Sequence, residues 1–273
     1  HAEESILRDE NDVLYEDDIS PNAHHIDGLI RFESDLAYEV YKFLRSNIFP
    51  MVIGGDHSIA IGSVSGTKMA FPNERLGVVW IDAHADLHSP WTTPSGNVHG
   101  MPLALLMNIE KKGRNQPRVF TMDTWDRLRK IGMSGPKLLP TDLVYIGLRD
   151  FEAEEDAIIR EHGIKVITVE QLREKGAQQV VAETFAHLTA CEKIHVSFDV
   201  DSLDPSISVG TGTPVPGGLT LDEARTLLTG FCADPKTATL DVVEINPALD
   251  TGNAMAEAVL TVLEPLFPIL RNR

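Results

Sequence analysis

Short runs rich in β-branched and other apolar residues recur along this chain, alternating with segments whose apolar residues repeat at helical spacing. That order leaves few folds open, because strands separated by helices pair side by side in parallel. Strands are predicted over 50–54, 77–82, 143–148, 165–169, 193–201 and 239–245. Helical spacing marks 32–45, 154–162, 178–188, 221–231 and 253–270. No internal repeat and no linker rich in Pro, Gly or Ser divides the chain. The expectation is an α/β protein: a single three-layer αβα domain over 1–273 with a mostly parallel, doubly wound sheet.

Charge narrows the possible partners. Against 24 Lys+Arg stand 41 Asp+Glu, a formal net charge of −17, which repels nucleic-acid phosphates and anionic membrane surfaces. Neither nucleic acid nor a membrane is an expected partner. No uncharged apolar stretch approaches the ~20 residues that cross a bilayer, and the apolar tail is broken by Glu257, Glu264, Pro265 and Pro268. Cys191 and Cys232 lie outside any CxxC pattern, so a disulfide framework and a thiolate zinc site are not indicated, and a reducing, cytoplasmic setting fits. The first twenty residues hold eight acids and one Arg, the composition of a solvated segment. From Lys111 to Lys137 the balance reverses, and a solvated basic connection is expected there. The opening His1-Ala2-Glu3-Glu4 has neither a Met nor a signal-peptide pattern, which predicts a trimmed start.

The chemistry is written where the apolar runs stop. Val52-Ile53 leads into Gly54-Gly55-Asp56-His57-Ser58, and Val78-Val79-Trp80-Ile81 into Asp82-Ala83-His84-Ala85-Asp86. His195-Val196-Ser197-Phe198 leads into Asp199-Val200-Asp201, and Val242-Val243 into Glu244. In an open α/β sheet ligands bind beyond the carboxyl ends of the strands, so these groups are expected to converge on one cleft. Side chains alternate along a strand, which would put Ser197, Asp199 and Asp201 on one face, and Asp82, His84 and Asp86 likewise if that segment stays extended. Crowded carboxylates repel unless cations lie between them. Four Asp and two His without thiolate suit a binuclear Mn²⁺ site better than structural zinc, with Mg²⁺ and Fe²⁺ fitting less well. Two metals about 3.5 Å apart can lower the pKa of a shared water, which is the basis of metal-assisted hydrolysis.

These three segments, the last continuing through Ser202-Leu203-Asp204-Pro205, resemble the metal motifs of the ureohydrolase superfamily, the arginase and agmatinase family. The likeness covers the chain from about residue 51 onward and is nearest to arginase. Thr92-Thr93-Pro94-Ser95-Gly96-Asn97-Val98-His99-Gly100 and Glu244-Ile245-Asn246-Pro247 are similar to the arginase versions of those loops.

The resemblance implies two Mn²⁺ per subunit. His57, Asp82, Asp86 and Asp199 would hold one, and Asp82, His84, Asp199 and Asp201 the other. It also implies His99 as the group that protonates the departing amine, a task suited to imidazole, and Glu244 as the partner of a substrate guanidinium. Ser95 and Asn97 would bind an α-carboxylate, with Thr213 a nearby polar contact. Two positions depart from the family pattern: His88 stands where Asn is usual, and Glu152 where Asp is usual, both at the amino-acid end of the substrate. The expected reaction is hydrolysis of L-arginine to L-ornithine and urea by a homo-oligomer, a trimer or hexamer. Another guanidino substrate, or a catalytically silent metal-binding homologue, is the alternative. The family's Gly-rich first strand is missing from the start of the chain.

Overall fold

The computed structural model describes residues 3–8 and 17–271, and much of the acidic opening segment lies outside them. The chain gathers into two compact units, one built from Ile48–His57, Asn73–Ala85 and Leu138–Arg273, the other from His1–Asn47, Ser58–Pro72 and Asp86–Lys137.

The first of these carries the sheet. Its strands are β1 (Met51–Ile53), β2 (Leu76–Ile81), β3 (Leu143–Ile146), β4 (Lys165–Ile167), β5 (Lys193–Asp199) and β6 (Thr237–Val243). They lie in the order β1-β6-β5-β2-β3-β4, and every pair is parallel. From β2 the chain winds outward through β3 and β4, then returns to place β5 on the other side of β2. The boundary between β2 and β5 is therefore the switch point, where a crevice opens beyond the strand ends.

Alternation along the strands builds the core. Val79 and Ile81, Val144 and Ile146, Val196 and Phe198, and Leu240 and Val242 form one apolar cluster. Helices α5 (Ala153–His162), α6 (Val169–Lys175), α7 (Ala177–His187), α8 (Leu221–Ala233), α9 (Ala254–Leu263) and α10 (Leu266–Leu270) belong to the same unit. Leu172, Val180, Leu227, Phe231, Val259 and Leu266 join that cluster, each fully buried aliphatic or aromatic side chain contributing roughly 1.5–3 kcal/mol. Reciprocal threonine caps fix the starts of α6, Thr168 with Gln171, and of α8, Thr220 with Glu223. The apolar tail, expected as one helix over 253–270, is two, because Pro265 has no N–H to continue the ladder.

The other unit holds α1 (Ile26–Arg45), α2 (Ala60–Ala70), α3 (Pro102–Met107) and α4 (Val119–Leu128). Helices α1 and α2 approach closely at glycines: a Cβ on Gly66 would lie 2.4 Å from the Ala37 carbonyl oxygen. Glu33 is buried and accepts the Gly62 N–H at 2.6 Å. The basic stretch 111–137 is not simply a solvated connection. It contains α4, whose Trp125 and Leu128 are fully buried, and it ends at Lys137, buried with its ammonium donating to the carbonyl oxygens of Arg129, Met133 and Gly135. Among the described residues no helix is long and apolar enough to cross a membrane. Cys191 and Cys232 are buried thiols.

Candidate metal centre

The two acidic segments at the switch point leave their strands sooner than simple alternation predicts. Strand β2 ends at Ile81, and Asp82 turns the chain by accepting the His84 N–H on Oδ1 at 2.7 Å. Strand β5 ends at Asp199, whose Oδ1 accepts the Asp201 N–H at 2.7 Å, and Val200–Ser202 forms a single 3₁₀ turn. The expected extended series at Asp82, His84, Asp86 and at Ser197, Asp199, Asp201 is thus corrected. An Asp side chain that captures the N–H two residues on competes with the strand ladder and bends the chain.

The bends bring the side chains together. His57 Nδ1 lies 3.0 Å from Asp82 Oδ2 and 3.1 Å from Asp199 Oδ2. His84 Nδ1 lies 3.0 Å from Asp201 Oδ2 and 3.5 Å from Asp82 Oδ1. Two donor groups result, His57 with Asp82 and Asp199, and Asp82 with His84 and Asp201, each offering three ligand atoms within 4.8 Å of one another. Asp82 is common to both and sends one carboxylate oxygen to each.

Electrostatics shows why such a cluster calls for a cation. Burial raises the Asp199 carboxyl well above the carboxylate range, and the charges of Asp201 and Asp82 raise it further. Asp201 is raised for the same two reasons, burial and the charge of Asp82. Asp82 is also pushed up by burial, yet hydrogen bonds and charge from His57 and His84 hold it well below the ordinary value. Burial works against the His84 imidazolium, but hydrogen bonds with Asp201 and Asp82 push it up to about 12. Divalent ions would balance the negative charge crowded together here. The donor set fits metal: Asp82 Oδ2 and His57 Nδ1 are both buried and lie 3.0 Å apart, two metal-ligating atoms facing each other.

Two residues to which the sequence assigned no role shape this cluster. Ser197 Oγ lies 2.8 Å from His57 Nε2, and the Trp80 ring stacks on the His57 imidazole at 3.9 Å with a 6° interplanar angle. Both were visible as strand residues: Ser197 precedes Asp199 by two on one face of β5, and Trp80 is next to last on β2.

The remaining sequence candidates are spread over both units. Glu244 follows β6 with φ +64° and accepts the His57 N–H on Oε1 at 2.9 Å. A left-handed conformation in a non-glycine residue costs of order 1–3 kcal/mol and marks functional positions. Thr213 donates to Asp201 Oδ2 at 3.1 Å. Glu152 is exposed at the N-cap of α5, where its N–H is accepted by Glu155. Asp86, His88, Ser95, Asn97 and His99 belong to the helical unit. There Asp86 has φ +50° and its carbonyl accepts the Leu103 N–H. His88 is buried with Nδ1 3.1 Å from Thr92 Oγ1. Ser95 Oγ accepts the Asn97 N–H at 3.1 Å, and the Ser95 carbonyl lies 2.9 Å from His24 Nε2. His99 sits in the 3₁₀ turn Val98–Gly100.

A doubly wound parallel sheet with two carboxylate–imidazole groups sharing one aspartate at its switch point defines an α/β protein with side chains that could hold metal. The model described as "Arginase family" matches residues 5–267, and the chain belongs to that family. It is 41% identical over 223 residues to an arginase of Coccidioides posadasii, covering 80% of this chain and 66% of that protein, so it spans just under two thirds of that relative's length. Among solved structures, the arginase of Bacillus caldovelox aligns with TM-score 0.79 and 35% identity over 98% of this chain and 81% of that one. The arginase of Entamoeba histolytica in complex with L-ornithine aligns with TM-score 0.80 and 32% identity over 90% of this chain and 79% of that one.

Proposed function

We propose that the chain hydrolyses the guanidino group of L-arginine, giving L-ornithine and urea, with two Mn²⁺ held by His57, Asp82, His84, Asp86, Asp199 and Asp201. The observation that carries this is Asp82 serving both donor groups, one oxygen toward each, a sharing that suits a pair of ions better than one. A carboxylate and imidazole donor set without sulfur favours Mn²⁺. When bound, the metal pair supplies the positive charge that makes water a nucleophile at neutral pH.

The chain's own residues do the rest. Glu244 accepts N–H bonds from the planar guanidinium and orients its carbon, and its backbone strain is consistent with a fixed aim. Ser95, Asn97 and His88 bind the α-carboxylate, and Glu152 the α-ammonium, so the substrate is held at both ends and orientation replaces a bimolecular search. His99 gives a proton to the departing amino group. Thr213 holds Asp201 in place.

The family model crosses both compact units, which supports their working as one domain. A homo-oligomer of three or six copies and a cytoplasmic setting complete the proposal, the latter supported by two thiols kept as free cysteines.

The test is urea release by Mn²⁺-loaded protein from L-arginine, agmatine and 4-guanidinobutyrate, compared by kcat/KM. The comparison substrates lack one charged group each at the amino-acid end, where His88 and Glu152 stand. Arginine is expected to be turned over best, and a preference for either analogue would reject it as the substrate. Bound metal with no hydrolysis of any guanidino compound would leave a binding protein in place of an enzyme.

A further inference from the structure

Arg149 reaches this cluster through the main chain, its guanidinium donating to the Asp201 carbonyl. It follows Gly147, which turns the chain out of β3 with φ +92°. Its own N–H and that of Asp150 both donate to the Ala83 carbonyl at 2.9 Å, fastening this turn to the segment between Asp82 and His84. The half-buried guanidinium is ringed by main-chain carbonyl oxygens. Nη2 donates to Asp201 at 2.9 Å and Val215 at 2.8 Å, with Leu203 at 3.4 Å. Nη1 reaches Gly147 at 3.1 Å and Ser202 at 3.3 Å, and Nε reaches Pro216 at 3.2 Å.

Five N–H groups set in a rigid plane thus serve six carbonyl oxygens from three separate segments. One is the turn after β3, another the 3₁₀ turn that presents Asp201, and the last the loop that presents Thr213. Thr213 in turn donates to Asp201 Oδ2, the oxygen that faces His84. The clamp therefore acts on a carboxylate it does not touch.

We infer that Arg149 is a positioning residue for the His84–Asp82–Asp201 half of the metal centre, an inference that rests on the two-metal reading above. By locking the Asp201 and Thr213 backbones together it fixes the direction of the Asp201 carboxylate. In the other half His57 lies on no clamped segment, and the links to the clamp are the shared Asp82 and the Asp199 carboxylate that accepts the Asp201 N–H. Lysine keeps the charge but has three N–H groups on a flexible stem, too few to serve the same ring of carbonyls.

The experiment is calorimetric titration of metal-free wild-type, Arg149→Lys and Arg149→Met protein with Mn²⁺, alongside arginine kinetics and thermal melts. In wild type two binding steps are expected. Both variants should weaken one step by about tenfold to a hundredfold, the usual cost of losing support behind a metal ligand, and leave the other within about threefold. Their kcat should fall with the lost occupancy while KM for arginine changes little. Equal weakening of both steps, or two unchanged steps with only a lowered Tm, would mean a general structural role and overturn the inference. Full retention of both steps in Arg149→Lys would overturn the geometric part by showing that charge alone suffices. If Arg149→Met fails to fold, the lysine variant carries the test. A wild-type protein that binds no Mn²⁺ would defeat the two-metal reading itself, and with it this inference, which separates that failure from the others.

Discussion

Ser197 Oγ stands 2.8 Å from His57 Nε2, on the side of the imidazole away from Asp82 and Asp199. With a metal bound, a hydroxyl that accepts the Nε2 N–H would fix the tautomer in which Nδ1 offers its lone pair to the cation held with those carboxylates. Removing it with Ser197→Ala should weaken Mn²⁺ binding by about tenfold to a hundredfold. Metal titration of the variant checks this, and an unchanged affinity would mean that the Trp80 stack alone holds the ring.

Glu244 accepts the His57 N–H and is proposed to face the guanidinium, and substitution can separate the two. Glu244→Gln keeps an oxygen for the His57 N–H but removes the charge facing a guanidinium. Since hydrogen bonds to charged groups contribute about 1.5–3 kcal/mol, kcat/KM for arginine should fall roughly tenfold to a hundredfold with metal content unchanged. Steady-state kinetics paired with metal analysis reads both quantities. Loss of metal in this variant would place Glu244 among the supports of His57 and away from substrate.

Stripping the metal should destabilise the fold. Asp82, Asp199 and Asp201 are buried together, and a ligand that binds only the folded state at a hundred times its dissociation constant contributes about 2.7 kcal/mol. Thermal melts with a chelator and with added Mn²⁺ should differ, Tm rising with metal concentration. Identical melts would remove the metal centre from the account.

Lys137 makes stability depend on alkaline pH. Burial lowers its ammonium to about 8 from an ordinary 10.5, and the nearby Arg129 charge acts in the same direction. The folded pKa lies below the unfolded one, so between pH 8 and 10.5 the unfolded chain binds more protons and stability rises with pH. Below pH 8 both states are charged and the penalty of burying the ammonium is fully present. Denaturant unfolding of wild type should gain on Lys137→Met across that window. A constant difference between the two proteins from pH 8 to 10.5 would show that the buried ammonium keeps its ordinary affinity for protons.

The central strands and the polar clusters at their ends were legible because parallel strands buried on both faces read as apolar runs that stop abruptly. What alternation could not supply was the path beyond each strand. Asp82 and Asp199 each capture a backbone N–H two residues on, and this local bond, invisible to hydrophobic periodicity, sends His84 and Asp201 toward one another. Helix α2 escaped notice because it has no apolar stripe: from Ala60 to Thr67 every residue is buried, Gly62 and Gly66 among them. Helix α4 was hidden by the basic residues around Trp125 and Leu128, whose burial depends on the tertiary fold and not on local composition. Arg149 was legible only as one Arg in a turn, since its partners are carbonyls, which every sequence contains.

Sharing Asp82 between both donor groups also orders events in time. Ala83 and Asp201 meet across 118 residues of chain, so while the polypeptide is being made, His57, Asp82 and His84 emerge long before the acids that complete their site. Until β5 docks beside β2, neither half of the centre exists, and because the halves have a ligand in common, both are completed by that one docking step. On the two-metal proposal, the ions would therefore find a complete set of ligands only once β5 has docked beside β2.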